Sequence, residues 1–500
     1  MPTNGAWVAS VSEAAASSAG ATLLEPGSLA RMFQRFENAP VAGLAVSGGV
    51  DSIALMRLAE AWVKQRTAAG RPAPVFTVLT VDHGLRPGSA DEAQLVARWA
   101  SEIGLAHETL TWVGEKPTHG IQAAARDARY GLLCGWALER GVGIPVAVAH
   151  HRSDQAETVL MRLARGSGPD GLAAMRAEVV RDGVPIVRPL LETSKRDLVE
   201  LVRDYLGARW IDDPSNQSVA FERVRLRAVQ DELAAAGLDD AALARTARRM
   251  ARAVEGLEAA TTQFLAELGA RQPFLHAGGF VWPCRPQDVA DEIYIRALGR
   301  VLMTAGGTDE PVSLASLERL AIELALPGFS GATLGRCRVL PWPADQAQAA
   351  GMQAPDLWVL VVRETGREPL PALEISGART VRWDNRFVVT ADAGLDCAIM
   401  VRAVDERALG EISEANAGQA DVLGRGVPLP DVIQRGIPAF WSGDRLLAIP
   451  SFDVYEPGST GAGGSVSTKY SVAFMVDRLK GAGGGAKSLT DVNTALNGPV

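Results

Sequence analysis

The sequence predicts an α/β fold: a doubly wound, mostly parallel sheet, followed by a helical domain and a small α+β C-terminal domain. Three observations support this prediction. Between about 41 and 215, short apolar runs alternate with helical stretches, which is typical of a parallel sheet covered on both faces. From about 240, apolar residues recur at helical spacing. Beyond Pro341, Gly and Pro punctuate short apolar runs, which favours a strand-containing domain.

The first region contains four predicted strands and the helices that follow them. The strands are expected at 41–46, 75–81, 106–113 and 146–149. The helices are expected at 51–66, 90–103, 121–139 and from Ser153 onwards. In such sheets, ligands bind beyond the carboxyl ends of the strands. The polar clusters of this sequence follow the predicted strands, so we expect them at one edge of the sheet.

We expect further domains in the remainder of the chain, because 500 residues are too many to fold around a single hydrophobic core. One long helix is indicated by an apolar stripe of Leu243, Ala247, Met250, Val254, Leu257 and Phe264. More helices are expected at 287–305 and 314–326, and strands at 358–362, 386–390 and 446–449. The predicted division is a flexible extension over 1–36, a first domain over 37–235, a helical domain over 236–345, an α+β domain over 346–480 and a flexible tail over 481–500.

Composition excludes several classes of protein. Hydrophobic residues make up 47% and charged residues 22%, as in globular proteins, and no apolar run approaches the roughly 20 residues of a membrane span. The first 36 residues do not resemble a secretion signal. The four cysteines form no Cys-x-x-Cys pair, which argues against structural zinc and fits a reducing cytoplasm. The net charge of −8 argues against non-specific nucleic-acid binding by the whole surface, but not against a local basic face.

A glycine-containing segment directly after the first strand predicts phosphate binding. It reads Ser47-Gly48-Gly49-Val50-Asp51-Ser52, and we call it the phosphate loop. Adjacent glycines let the backbone approach a phosphate, and a helix starting near Asp51 would point N–H groups at the anion. Asp51 is itself an anion, so its expected task is to hold a magnesium ion that bridges phosphates. The alternative is an ordinary strand–turn–helix corner. The phosphate loop itself has neither the Walker pattern nor the dinucleotide pattern.

Polar residues also follow the second and fourth strands. Asp82 and His83 end the second strand, where they could face a nucleotide or simply form a turn; Ser89 is expected to cap the next helix. His150 ends the fourth strand, and Asp154 and Glu157 follow on one helical face. These carboxylates could hold magnesium, recognise a substrate ammonium group, or merely favour a helix N-terminus. The spacing is not that of a zinc site.

Arginines cluster at several places in the sequence. They include Arg126, Arg129, Arg162, Arg165, Arg223, Arg225, Arg227, Arg245, Arg248, Arg249 and Arg252. The guanidinium fork suits phosphate groups. The alternative is a solvated helix face with salt bridges to neighbouring acids, and composition alone favours that alternative.

Taken together, these segments resemble the PP-loop ATPases and, within them, the tRNA(Ile)-lysidine synthase family. The matching segments are 47–52, 82–86, 125–130, 150–158, 160–163, 165–168, 188–191 and 210–216. They lie densely between about 41 and 230, whereas the later regions are similar only in layout. One departure is that Val224 replaces the Asn that the family often carries after the first arginine, which affects the role of Arg223. The resemblance implies an adenine nucleotide alpha hydrolase-like first domain that binds ATP and a helical tRNA-binding domain.

The resemblance also implies a reaction and its participants. ATP would adenylate the 2-carbonyl oxygen of the wobble cytidine in tRNA(Ile) with a CAU anticodon, and the amine of L-lysine would then displace AMP. ATP would contact residues 47–52 with Asp82 and His83; Asp51, with Asp154 as a second ligand, would hold Mg²⁺; and His150 would touch the α-phosphate. Asp154 and Glu157 would bind lysine and accept a proton. Arg126, Arg129, Arg223, Arg225, Arg248 and Arg249 would contact the lysine carboxylate or tRNA phosphates.

Two other functions and the assembly state stay open at this point. The alternatives are another PP-loop tRNA-modifying enzyme or ATP pyrophosphatase-type synthetase, and a non-catalytic nucleic-acid-binding protein. We expect a cytoplasmic enzyme without a membrane partner, with a homodimer as an open alternative to a monomer.

Overall fold

The computed structural model describes most of the chain and divides into two units. The described residues are 19–85, 88–117, 119–211, 229–269, 272–284, 288–349, 358–377, 379–391, 399–405, 430–449, 454–455, 470–476 and 479. The units are Met1–Val254 and Glu255–Val500. Within the described residues, no helix has both the length and the apolar character that a membrane crossing requires.

The first unit is built on a six-stranded sheet in the order β3-β2-β1-β4-β6-β5. The strands are β1 (Val41–Ala45), β2 (Val75–Asp82), β3 (Ala106–Thr111), β4 (Val146–Ala147), β5 (Glu178–Arg181) and β6 (Val184–Val187). All neighbouring pairs are parallel except β5 and β6, which form an antiparallel edge hairpin. The predicted doubly wound, mostly parallel sheet is confirmed.

Helices cover the sheet because its central strands are apolar on both faces. Leu44 of β1 and Val78 of β2 are buried in one apolar cluster, and Leu79 of β2 and Val146 of β4 in another, as expected for strands that have helices on either side. The helices of this unit are α1 (Ala19–Thr22), α2 (Pro26–Phe33), α3 (Val50–Ala68), α4 (Ser89–Glu102), α5 (Ile121–Arg140), α6 (Arg152–Ala164), α7 (Pro169–Leu172), α8 (Lys195–Glu200), α9 (Gln230–Ala235) and the start of α10 (Asp240–Gly269).

The expected flexible extension over 1–36 is wrong for residues 19–36. These residues form α1, α2 and a 3₁₀ turn, and Leu29, Phe33 and Phe36 are fully buried. Phe33 stacks on Trp62 of α3 with ring centroids 5.3 Å apart. An apolar stripe of this kind is stabilised by packing rather than by local propensity, and the Ala- and Ser-rich composition concealed it.

The second unit combines helices with three further sheets. Its helices are α11 (Asp291–Gly306), α12 (Leu314–Ala325), α13 (Ala344–Ala349) and α14 (Asp431–Gln434). The sheets have the orders β7-β10-β9-β8, β11-β14-β15-β16-β17 and β12-β13-β18. Their strands are β7 (Phe280–Pro283), β8 (Ala332–Leu334), β9 (Cys337–Trp342), β10 (Trp358–Arg363), β11 (Leu373–Ile375), β12 (Arg379–Trp383), β13 (Phe387–Ala391), β14 (Ile399–Ala403), β15 (Pro438–Ser442), β16 (Arg445–Ile449), β17 (Val454–Tyr455) and β18 (Tyr470–Phe474).

The predicted boundary at 345/346 does not separate a helical domain from a strand-containing one. β10 lies beyond that position, yet it pairs with β7 and β9, which lie before it. The three strands therefore form one sheet, and Val281 of β7 and Val361 of β10 are fully buried in it. Short strands such as β7 give no alternating pattern long enough to be recognised, so the sequence predicted only the helices here. The predicted tail over 481–500 lies outside the described residues.

Candidate active site

Four strands of the first sheet deliver polar residues to the same edge. The phosphate loop follows β1, Asp82 and His83 end β2, and His150 follows β4. A segment over 188–195, which we call the 188–195 segment, follows β6. These strands run parallel, so their carboxyl ends lie on one side of the sheet.

The phosphate loop forms a tight corner held by its own hydroxyl groups. Gly48 has a φ of +92°, and a Cβ there would lie 2.6 Å from the side chain of Ile211, so only glycine fits. Ser52 Oγ donates to the Gly49 carbonyl at 2.8 Å and accepts from the Ser47 backbone N–H at 3.2 Å. α3 begins at Val50; the Ser52 N–H already donates to the Gly49 carbonyl at 3.0 Å, whereas the N–H groups before it precede the helical hydrogen-bond ladder and favour an anion.

Asp51 contacts two side chains, Lys195 and His151. Lys195 Nζ lies 2.6 and 2.7 Å from its carboxylate oxygens, and His151 Nε2 lies 3.6 Å from Oδ2. Burial by itself raises the pKa of Asp51, but His151 and Lys195 outweigh burial and hold the pKa below its ordinary value. The carboxylate therefore stays ionised and already accepts positive charge from the protein.

His151 connects Asp51 to Asp154. Its Nε2 atom is 3.6 Å from Asp154 Oδ2 as well, and Asp154 Oδ2 accepts the His151 backbone N–H at 3.0 Å. Glu157 is buried on the same helix, one turn further along. The structure therefore places the carboxylates of Asp51 and Asp154 beside the same imidazole nitrogen. In the described part of the chain, no three or more His, Cys, Asp or Glu side chains form a metal-binding group.

His150 is surrounded by arginines. Arg188 Nε lies 3.2 Å from His150 Nδ1, and Arg188 Nη1 donates to the Arg176 carbonyl at 2.8 Å. Burial, Arg188 and the more distant Arg126 and Arg129 lower the pKa of His150 to about 3, although Asp154 acts in the opposite direction. The imidazole is therefore neutral at physiological pH.

Arg126 and Arg129 lie on α5 beside Tyr130. Their guanidinium carbons are 5.3 and 5.6 Å from its ring centroid, and Arg181 approaches the same ring at 4.5 Å. Arg181 is paired with Asp127. The cationic groups near His150 form a region of positive potential that suits an anionic ligand.

Asp82 and His83 have different surroundings from those expected of a nucleotide site. Asp82 Oδ1 accepts the Gly84 N–H at 2.9 Å and the Ser89 hydroxyl at 2.6 Å, so its carboxylate holds the turn after β2. Ser89 is consequently not the predicted helix cap: α4 begins at Ser89 itself and has Gly88 at the cap position. His83 packs edge-on against Trp112, with ring centroids 6.1 Å apart. Burial lowers its pKa, and the charges of Arg129 and Lys116 add to this effect.

Helix α10, which we call the basic helix, contributes exposed arginines. Arg248 and Arg249 are exposed on α10, and Arg248 forms an ion pair with Glu192. Leu243 and Ala247, on another face of the helix, belong to one apolar cluster with Ala156 and Val159 of α6. Arg223 and Arg225 lie outside the described residues.

Three residues of this site were not predicted from the sequence: His151, Arg188 and Lys195. Arg188 and Lys195 both belong to the 188–195 segment and reach side chains far away in the chain, His150 and Asp51. One available signal was their position, because they follow a strand whose carboxyl end lies at the ligand-binding edge.

Several known proteins are similar to this chain over much of its length. A family model described as a PP-loop domain matches residues 26–233. The tRNA(Ile)-lysidine synthase of Rhodopseudomonas palustris is 47% identical over 300 residues, which cover 59% of this chain and 83% of that protein. The protein of the same name from Bradyrhizobium sp. is 45% identical over 300 residues, which cover 58% and 81%. That of Ruegeria pomeroyi is 36% identical over 414 residues, which cover 82% and 88%.

Proposed function

The chain belongs to the tRNA(Ile)-lysidine synthase family, and from that premise we propose how its site acts. The enzyme is an ATP-using ligase that modifies the wobble cytidine of tRNA(Ile) with a CAU anticodon, joining L-lysine to it with release of AMP and pyrophosphate. The observation that carries this conclusion is 47% identity across 83% of a curated relative. Those relatives do not favour another PP-loop tRNA-modifying enzyme or synthetase.

The phosphate loop is proposed to bind the triphosphate of ATP. Its glycine corner and the open first turn of α3 offer backbone N–H groups to phosphate oxygens. Lys195 lies beside Asp51 at the start of this helix, so its ammonium group is placed to contact the same phosphates. Because the 2-carbonyl oxygen of cytidine attacks the α-phosphorus, the pyrophosphate must be held while it departs. The loop and Lys195 perform that task.

Magnesium is proposed to bind between the nucleotide and the carboxylates of Asp51 and Asp154. Mg²⁺ commonly takes one or two carboxylates and completes its shell with phosphate oxygens and water. Two observations support this proposal: the Asp51 carboxylate already pairs with the Lys195 ammonium group, and Asp154 Oδ2 lies at the same distance from His151 Nε2 as Asp51 Oδ2 does. The ion, when bound, would neutralise phosphate charge.

L-Lysine is proposed to bind Asp154 and Glu157 through its ammonium groups. Both acids lie on α6, one turn apart, and Glu157 is buried. The lysine side-chain amine has a pKa of about 10.4 in water, so it must lose a proton before it attacks C2 of the adenylated base. A carboxylate in contact with the amine accepts that proton. The lysine carboxylate would meet Arg126 or Arg129, and AMP leaves as the new C–N bond forms.

The tRNA backbone is proposed to contact the exposed arginines of α10. Arg248 and Arg249 present guanidinium groups to solvent, and phosphate contacts of this kind supply much of the affinity for RNA. Arg248 is paired with Glu192 in the free protein. A phosphate would therefore compete with that carboxylate.

Incorporation of labelled lysine into tRNA tests the proposed function. The full chain is incubated with ATP, labelled L-lysine and a tRNA(Ile) transcript that carries the CAU anticodon. We expect label in the tRNA and one AMP per lysine joined. A transcript with U in place of the wobble C is the matched control and should take up none. Absence of incorporation into the CAU transcript would reject the function, and ATP consumption without incorporation would point to a different acceptor.

A further inference from the structure

Two parallel strands bring Arg188 and His150 together at the edge of the first sheet. β4 and β6 are paired neighbours, with Ala147 opposite Val187. His150 follows β4, and Arg188 is the first residue after β6. Arg188 Nε lies 3.2 Å from Nδ1 of the imidazole, which is within hydrogen-bonding distance.

The chemistry of this contact fixes the position of the imidazole proton. A guanidinium group carries only donors and does not lose its charge in proteins. Nδ1 of His150 must therefore accept, so it carries no proton, and the proton of the neutral ring is on Nε2. We infer that Arg188 holds His150 in the Nε2–H tautomer, so that His150 donates a hydrogen bond to a phosphate oxygen of the nucleotide and does not act as a base. This assignment of the acceptor rests on the proposed function.

Arg188 is itself held firmly, as a positioning residue must be. Its side chain is buried, and Nη1 donates to the Arg176 carbonyl at 2.8 Å. Its backbone N–H donates to the Ala177 carbonyl at 2.8 Å. The guanidinium group therefore cannot turn away from His150 without leaving a buried donor unsatisfied.

The surroundings of His150 favour an anionic partner for the remaining proton. The imidazole accepts a hydrogen bond through Nδ1, and Arg126, Arg129 and Arg188 all act on it electrostatically. These charges lower the pKa of His150 and attract phosphate. A donor placed among cations stabilises negative charge that develops on the nucleotide. The proton of the attacking lysine amine then passes to a carboxylate, Asp154 or Glu157, rather than to His150.

The tautomer can be observed directly in the intact protein. The full chain contains six histidines, so labelling with ¹⁵N-histidine gives few resonances, and the one lost in His150→Gln belongs to His150. We expect the Nδ1 signal of an unprotonated ring nitrogen and the Nε2 signal of a protonated one across neutral pH. In Arg188→Met, the ring should begin to take up a proton at a higher pH than in the wild type. Arg162→Met is the matched control, because Arg162 also bonds backbone carbonyls of this unit, those of Gly171 and Ala174; it should leave the His150 signals unchanged.

A pair of amide substitutions tests the role of the donor. In His150→Gln the side-chain amide can place an N–H near the position of Nε2, whereas in His150→Asn the shorter side chain reaches only the position of Nδ1. The measured step is transfer of AMP from α-labelled ATP to tRNA without lysine. We expect His150→Asn and His150→Ala to lose on the order of 100-fold and His150→Gln to retain several-fold more activity than either.

Each outcome decides between the inference and the proposed function. A proton on Nδ1 in the wild type, or equal losses in His150→Gln and His150→Asn, would overturn the inference even if the wild type forms lysidine. Conversely, the expected tautomer in a wild type that cannot join lysine to tRNA would reject the function and the phosphate acceptor with it.

Discussion

The phosphate loop and the 188–195 segment follow parallel strands of one sheet, and residues 188–191 also resemble the family, yet only the role of the loop could be predicted from its own residues. The loop carries its information locally, since adjacent glycines, hydroxyl groups and a helix start lie within six residues. The 188–195 segment acts through contacts with distant residues: Arg188 reaches His150, and Lys195 reaches Asp51, which is 144 positions away. The comparison shows that only part of a site can be predicted from a sequence. A phosphate-binding loop has a recognisable local pattern, whereas a side chain that forms an ion pair with a distant residue does not.

The two segments also divide the work of the site. The loop offers backbone N–H groups and one carboxylate, whereas the 188–195 segment offers two cationic side chains and an acid, Glu192, that pairs with Arg248. If both segments are needed for adenylation, substitutions in each should reduce that step. If only the loop binds the nucleotide, the second segment should matter for stability alone.

The largest effect is expected from Asp51→Ala in the phosphate loop. Removing a proposed magnesium ligand that also holds Lys195 should reduce AMP transfer to tRNA by on the order of 1,000-fold. The affinity for tRNA should change little, because Asp51 lies at the nucleotide. Transfer is measured with α-labelled ATP and affinity by filter binding.

Asp91→Ala is the control for this substitution. Like Asp51, Asp91 lies in the first turn of a helix, here α4, but its side chain is exposed. Its loss should therefore leave AMP transfer unchanged. A large loss of tRNA affinity in Asp51→Ala would contradict the division between nucleotide and tRNA contacts.

A smaller loss, about 100-fold in AMP transfer, is expected from Lys195→Met. The substitution removes the cation next to Asp51 and the proposed phosphate contact, while Lys195→Arg should restore part of the activity. Lys64→Met serves as the control, because Lys64 pairs with Glu60 on the exposed side of α3. If Lys195→Met shifts only the midpoint of thermal unfolding and transfers AMP at the wild-type rate, the 188–195 segment is structural and the comparison above fails.

Local patterns account for what the sequence predicted, and tertiary contacts account for what it did not. Four of the six strands of the first sheet, β1 to β4, were predicted from short runs between helical stretches, such as Val41 to Ala45, whereas β5 and β6 were not. The helices over 19–36 were missed because their stability comes from Phe33 packing on Trp62 and Phe76. Asp82 was predicted as a nucleotide contact, but its carboxylate is engaged by Ser89 and Gly84. The local sequence around an acidic residue at a strand end does not show whether its carboxylate stabilises a turn or binds a ligand.

A moderate effect is expected from reversing charge on the basic helix. Arg248→Glu and Arg249→Glu should each weaken tRNA binding by roughly tenfold and reduce the slope of log affinity against log salt by about 1. AMP transfer at saturating tRNA should remain near that of the wild type. Affinity is measured as a function of salt concentration.

Glu192→Gln separates the two roles of Arg248. It removes the ion pair with Arg248 but keeps the guanidinium group, so it should leave tRNA binding unchanged or slightly stronger. Weaker binding in Glu192→Gln would mean that the pair orders the helix rather than shields a phosphate contact. Arg98→Glu, on the exposed side of α4, is a control for charge reversal elsewhere in the unit.

The smallest effect is expected in the dependence of stability on pH, and it again contrasts the two segments. Burial, with a smaller contribution from Arg188, lowers the pKa of His150 from 6.5 to about 3. Between these values the unfolded chain binds the proton and the folded chain does not, so the free energy of unfolding rises with pH, by at most about 1.4 kcal/mol per pH unit. The wild type should therefore lose stability as pH falls below 6.5, and His150→Gln should lose less. Asp51, whose pKa is also lowered, contributes at lower pH, because an acid of this kind loses its stabilising contribution only as pH falls from its unfolded pKa towards its folded one. Denaturant unfolding of both proteins between pH 7 and pH 5 isolates the contribution of His150, and parallel curves would show that the folded protein does not keep this imidazole neutral.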